Sequence, residues 1–342
     1  MIQKSRLFYF DFTRAIAVLM VSAVHSAQIT SKAFIHISIW ELGRFGVQLF
    51  FIISGATVYM SYVGILKKYE QPILVFLIRR FFRILPLFII MGVGYSISKS
   101  IPIYNVLSPT ALFSPYYINS IPGGWSIWNE LFFYSLFPLY FLIRSSNIKS
   151  ILFLVFFNIY SFVLNFRYFG LIENDSFYET YDYENFGSQI ILFIIGIEFA
   201  AKNYKRISIL LIVNLIPSIM LKIAFFPNAL FKTDFGANYW ISLIAISCIL
   251  LLFLSKKIVL NRFLSSESFI GKFFGEIGKM TYSMYMIHFI VIYFLRSHLE
   301  NLYAEVSVLI ITSITVVISY IVKPYSEEIW SNLGRKLIKK II

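Results

Sequence analysis

The chain has 342 residues, 58% of them hydrophobic and only 14% charged, with a mean hydropathy of +0.76. That balance excludes an ordinary water-soluble domain, in which about 25% of residues are charged, and it leaves no room for a separate soluble body. The net charge of +13 is carried mostly by the segments between apolar runs. It therefore fits membrane topology and anionic lipid better than nucleic acid.

About ten spans are predicted, at 8–29, 45–66, 81–98, 125–143, 151–166, 186–201, 207–226, 238–255, 280–296 and 306–323. The fifth and sixth are short. One set of alternate connections carries Lys67, Lys68, Arg144, Lys149, Lys202, Lys205, Arg206, Lys256 and Lys257, whereas the other carries few cations, among them Lys32, Lys99 and Arg167. An even count with this bias predicts both termini in the cytoplasm. The fold class expected is an all-α, polytopic transmembrane helical bundle over residues 1–325, followed by a basic amphipathic tail over 326–342 lying on the cytoplasmic surface.

The first run, FYFDFTRAIAVLMVSAVHSAQI, holds Arg14 and His25. An ionisable residue in a span costs several kcal/mol unless a cavity, partner or substrate surrounds it. Their spacing is about three helical turns, so they share a face at depths roughly 16 Å apart, too far for direct pairing. Lys4 and Arg6 before this run imitate a secretion signal, but the length of the run and Arg14 within it predict a retained helix. A neutral imidazole at position 25 can act as general base on a hydroxyl, or it can simply be a histidine bonded between helices.

In the second span, FGVQLFFIISG, the small residues Gly46, Ser54 and Gly55 predict close helix packing. At the mouth of the third, FLIRRFFRILPLF presents Arg79, Arg80 and Arg83. Arg80 and Arg83 project side by side and form either a bidentate phosphate clamp or an anchor snorkelling to headgroups. The fourth, GGWSIWNELFFYSLFPLYF, carries Trp125, Ser126, Trp128, Glu130, Tyr134 and Pro138. Glu130 lies near the outer boundary with Tyr134 one turn below it. It can orient or charge-stabilise an imidazole, grip a hydroxyl, or be satisfied by nearby backbone.

Two extracytoplasmic insertions follow, 167–185 and 227–237. The first mixes carboxylates with tyrosines, which suits sugar stacking or a solvated acidic loop. In TYSMYMIHF, His288 is a second polar wall of one cavity or a packing histidine. No metal is expected, since the four histidines lack ligand spacing and Cys248, alone in an apolar span, reads as a buried hydrophobe.

Five segments in order, FDFTRAIAVLMVSAVHS, FGVQLFFIISG, RRFFRILP, WSIWNELFFYSLFP and TYSMYMIH, resemble the motifs of the integral-membrane acyltransferase-3 family, which O-acetylates cell-surface polysaccharides and related acceptors. Gln48 stands where the family usually has an acidic residue, so a charge role there is lost or moved. A fused hydrolase-like domain, carried by some members, is not expected here.

The resemblance implies acetyl-CoA as co-substrate, its phosphates on Arg80 and Arg83 with Arg79 beside them, and its thioester entering the bundle past Arg14. It implies His25 as general base or acylated relay, Arg14 in positioning or oxyanion support, and Glu130 orienting His25 or the acceptor. Trp125, Ser126, Tyr134 and His288 line the acceptor cavity in this reading. The implied partners are a saccharide or lipid-linked saccharide acceptor, membrane lipids and polysaccharide-assembly proteins, at the bacterial cytoplasmic (inner) membrane. The acceptor glycan and the choice of acetyl or succinyl stay open. The competing classes are a transporter or flippase of a lipid-linked saccharide, for which intramembrane ionisable residues are equally suited, and a scaffold in an assembly complex.

Overall fold

A computed structural model of the chain describes residues 2–34, 38–100, 102–106, 122–168, 184–225, 237–259 and 267–341. Among these residues the secondary structure is helical, apart from an isolated bridge between Lys32 and Tyr303. The helices longer than ten residues are numbered here α1 (Ile2–Ala27), α2 (Phe45–Leu66), α3 (Pro72–Lys99), α4 (Gly124–Ile143), α5 (Asn147–Tyr168) and α6 (Phe186–Ala200). They continue as α7 (Tyr204–Phe225), α8 (Ala237–Val259), α9 (Phe269–Lys279), α10 (Thr281–Leu299), α11 (Ala304–Lys323) and α12 (Ile329–Ile341).

Each of the ten predicted spans overlaps one of these helices, without always sharing its ends. Four stretches among the described residues are long and apolar enough to cross a membrane: Phe8–Ala27, Leu42–Leu66, Gly124–Ile143 and a window within Ala304–Ile341. Helix α3 begins well before the predicted start at 81, because Pro72 supplies a fixed φ at its first turn. Most of the insertion 167–185 and all but its last residue of 227–237 lie outside the described residues.

The chain divides into two compact units. Unit 1 contains residues 1–53, 82–88 and 247–336, so it takes in α1, the first half of α2, and α9 to α11. Here α1 packs on α9, α10 and α11. Close backbone approach marks the contacts of α1 with α2 and with α9. A Cβ on Gly46 would lie 2.4 Å from the Ala17 carbonyl oxygen, and one on Gly278 would lie 2.0 Å from that of Asp11.

Helix α9 was not foreseen from sequence, where 256–279 reads as a connection between the eighth and ninth spans. It is amphipathic, capped by the Ser268 hydroxyl accepting from the Gly271 N–H, and its glycine-bearing face is the buried one. After α11 the chain passes through a π-turn, Pro324–Glu328, into α12. The basic tail is helical over Ile329–Ile341, and it is packed: Gly334 seats against Phe82 and Ile338 is buried.

Unit 2 contains residues 54–81, 89–246 and 337–342. Its centre is α6, whose side chains from Phe186 to Phe199 are all buried, with α5 and α7 against it. At 15 residues, α6 is about 22 Å long, shorter than a bilayer core of about 30 Å, and it is wrapped by protein rather than lipid. Gly55 fits here as predicted, a Cβ there meeting the Phe193 carbonyl oxygen at 2.1 Å. An aromatic cluster of Tyr62, Phe76, Phe137 and Phe141 fills the space beside it.

Candidate active site

In unit 2 the polar centre is built at the start of α4. Gly123 has φ 73°, a left-handed conformation that costs glycine little, and the Ser126 hydroxyl donates back to its carbonyl at 2.9 Å. Ser126 therefore serves as a cap in this structure, and Trp125 beside it is half-buried. One turn on, Glu130 and Tyr134 meet as their i, i+4 spacing requires.

The Tyr134 hydroxyl and the Ser54 hydroxyl both donate to Oε1 of Glu130, the latter at 2.6 Å, and the two hydroxyl oxygens lie 3.1 Å apart. Oε2 of Glu130 has no hydrogen bond among the described residues. A carboxylate accepts only, so this oxygen is open to a donor such as a hydroxyl. Ser54, read from sequence as a packing residue, is the ligand that sequence missed.

Arg80 closes the cluster. Its guanidinium lies 5.5 Å from the Tyr134 ring centre and 5.6 Å from that of Phe76, and the residue is only 7% exposed. It is drawn into the helix packing instead of snorkelling, a cation–π arrangement of the desolvated kind. Arg79 next to it donates to the Tyr69 hydroxyl at 3.0 Å and sits over that ring. Arg83 is half-buried and makes no hydrogen bond or ion pair among the described residues.

In unit 1 His25 and His288 come together. The ring centres of His25, on α1, and His288, on α10, are 5.5 Å apart, with Phe289 4.7 Å from His25 and 4.0 Å from His288. His288 is thus packed among rings, one of which is the His25 imidazole. Nδ1 of His25 lies 3.4 Å from Oε1 of Gln28, at the limit of a hydrogen bond.

His288 is 1% exposed. Its Nδ1 lies 3.2 Å from the Met284 carbonyl, which can only accept, so that nitrogen carries the proton. Nε2 is then a bare acceptor, and it has no partner among the described residues. An unmet buried acceptor costs about 1–3 kcal/mol, a cost an aliphatic side chain of similar size avoids. Arg14 is held by Asp11 one turn earlier, Nη1 to Oδ1 at 2.9 Å, which fixes its head at that level of α1.

Two further carboxylates escaped the sequence reading. Glu198, fully buried on α6, receives both arms of Arg144 at 3.1 and 3.0 Å and the Tyr140 hydroxyl at 3.2 Å, with Arg206 at 3.7 Å. Arg144 and Arg206, taken from sequence as topology charges, are thus a structural fork. Glu327, in the π-turn, accepts from the Ser283 hydroxyl at 2.6 Å and from the Ser283 N–H at 3.1 Å. It caps the first turn of α10 from 44 residues away, where negative charge is favoured by the helix dipole. The Tyr282 hydroxyl donates to the Ile84 carbonyl at 2.8 Å and holds the same turn against α3.

Compared with known families, residues 7–323 match the family model described as an acyltransferase domain, that of the acyltransferase-3 family. No curated protein and no solved structure matches the chain. The match covers nearly the whole sequence. The chain belongs to the acyltransferase-3 family, and it is a multi-pass membrane acyltransferase.

Proposed function

We propose that this protein moves an acetyl group from cytoplasmic acetyl-CoA to a sugar hydroxyl of a cell-surface polysaccharide or its lipid-linked precursor. In this reading it sits in the bacterial inner membrane with ten spans and both termini in the cytoplasm. Family membership supports chemistry over flipping or scaffolding. The observation that carries the choice of base is His25, half-buried beside a second imidazole and committed only to a long hydrogen bond with Gln28.

The acceptor hydroxyl gives its proton to His25 as its oxygen bonds the thioester carbonyl carbon. The C–S bond then breaks, and the thiolate of CoA takes the proton. Arg14, anchored on Asp11, is assigned to positioning or oxyanion support. Glu130 offers its open oxygen to acceptor hydroxyls, with Trp125, Ser126 and Tyr134 around it. Arg83, with no partner among the described residues, is the readiest cation for the CoA phosphates, and Arg80 one turn earlier adds a fixed charge. Water kept from the thioester limits its hydrolysis.

The test is acetyl content of surface glycans, by mass spectrometry, in cells carrying the wild type or His25→Ala. Acetylation should disappear in the variant while the amount of membrane-inserted protein is unchanged. Persistent acetylation would remove His25 from the chemistry.

A further inference from the structure

The bare Nε2 of His288 is what the reaction as proposed leaves unexplained. The residue is almost fully buried, its other nitrogen is spent on the Met284 carbonyl, and its tautomer leaves one lone pair facing outward from the ring with nothing to receive. Its ring neighbours are Phe289 at 4.0 Å, His25 at 5.5 Å and Tyr285 at 5.7 Å. Of the two imidazoles, only His25 becomes positively charged during turnover, which makes the N–H it already carries on its other nitrogen a stronger donor. Solvent does not reach the Nε2 atom, so the donor has to come from within the cluster.

We propose that His288 is the positioning residue for His25: its Nε2 accepts the N–H of the His25 nitrogen that faces away from the reacting hydroxyl. This rests on His25 as the base. In the resting state the hydrogen bond of His25 to Gln28 is long, and the ring is loosely held. When His25 takes the hydroxyl proton both of its nitrogens carry hydrogen, and the acceptor on His288 is already in place and already desolvated. A hydrogen bond that strengthens only as charge develops lowers the barrier without tightening substrate binding.

His288 exchanges no proton itself. The proton passes from the acceptor hydroxyl to His25 and then to the departing thiolate. A neutral partner also suits the site, because a carboxylate there would need its own buried counter-charge, whereas an imidazole needs only the backbone carbonyl it already has.

The experiment uses membranes carrying the full chain, radiolabelled acetyl-CoA as donor and label incorporated into the glycan fraction of the same membranes as readout. Four proteins are compared: wild type, His25→Ala, His288→Met and His288→Gln. Methionine fills similar volume without an acceptor, while glutamine places an amide oxygen near the original Nε2. The expected result is an inactive His25→Ala, a His288→Met slowed about tenfold or more in kcat with KM for acetyl-CoA unchanged, and substantial recovery in His288→Gln at equal protein levels. Wild-type kcat in His288→Met overturns the proposal. So does equal impairment of both His288 variants, or a loss traced to lower protein level, since either marks a packing role. Activity in His25→Ala overturns the choice of base, and this proposal with it; an inactive His25→Ala beside a normal His288→Met overturns this proposal alone.

Discussion

Glu130 and Glu198 lie in the same unit, both on apolar helices, and their surroundings are opposite. Glu198 is sealed off and saturated, with two guanidiniums, a tyrosine hydroxyl and both of its oxygens engaged. Glu130 is partly open and takes two hydroxyls on one oxygen, leaving the other unused. A carboxylate buried with fixed cations is a brace, since removing either side strands a charge. One held by neutral donors, with an oxygen to spare, is arranged to receive something else. Under the proposed function the difference separates a bracing carboxylate from a working one where residue type alone does not.

The sharpest way to break this contrast is Glu198→Ala, which leaves Arg144 and Arg206 buried without their counter-ion. A loss of about 3–5 kcal/mol is expected, read as a large fall in the temperature of aggregation in detergent and in the amount of inserted protein. Next comes Glu130→Gln, which keeps shape and hydroxyl contacts. It should leave thermal stability within about 1 kcal/mol yet lower acetyl transfer by about a hundredfold. If the two variants exchanged phenotypes, the distinction between brace and working group would be wrong.

The smallest effect is expected at a third carboxylate. Glu276, on the exposed face of α9, is held below the ordinary value of 4.5 by hydrogen bonding and charge from Lys279 and by charge from Lys323. With its folded value depressed, its stabilisation is complete above pH 4.5 and fades as pH falls through the lower folded value. Because the pair is half exposed, Glu276→Gln should remove only a slight part of the acid sensitivity of unfolding, measured as the pH midpoint of aggregation.

Local spacing was legible in the sequence, and pairing across helices was not. The i, i+4 meeting of Glu130 with Tyr134 follows from helical periodicity, and Gly46 and Gly55 announced close contacts because nothing larger fits there. His25 and His288 could be singled out as costly residues, but their adjacency depends on how α1 and α10 pack. Ser54 looked like another small packing residue until Glu130, 76 positions away, was beside it. Arg144 and Arg206 obeyed the statistics of membrane-flanking charge while serving a buried carboxylate. Helix α9 was hidden because its buried face is mostly glycine, Gly271, Gly275 and Gly278 beside Ile277, and such a face adds little to hydropathy.

The cap that Glu327 places on α10 also imposes an order of assembly. The helix carrying His288 is synthesised with the N–H of Ser283 unmet, and its partner emerges 44 residues later. Until the π-turn has formed, the first turn of α10 has the Tyr282–Ile84 hydrogen bond but not this cap. The helix that carries His288 is therefore completed at its start by a turn distant in the chain, and a nascent protein halted before Glu327 would carry both histidines with that start uncapped.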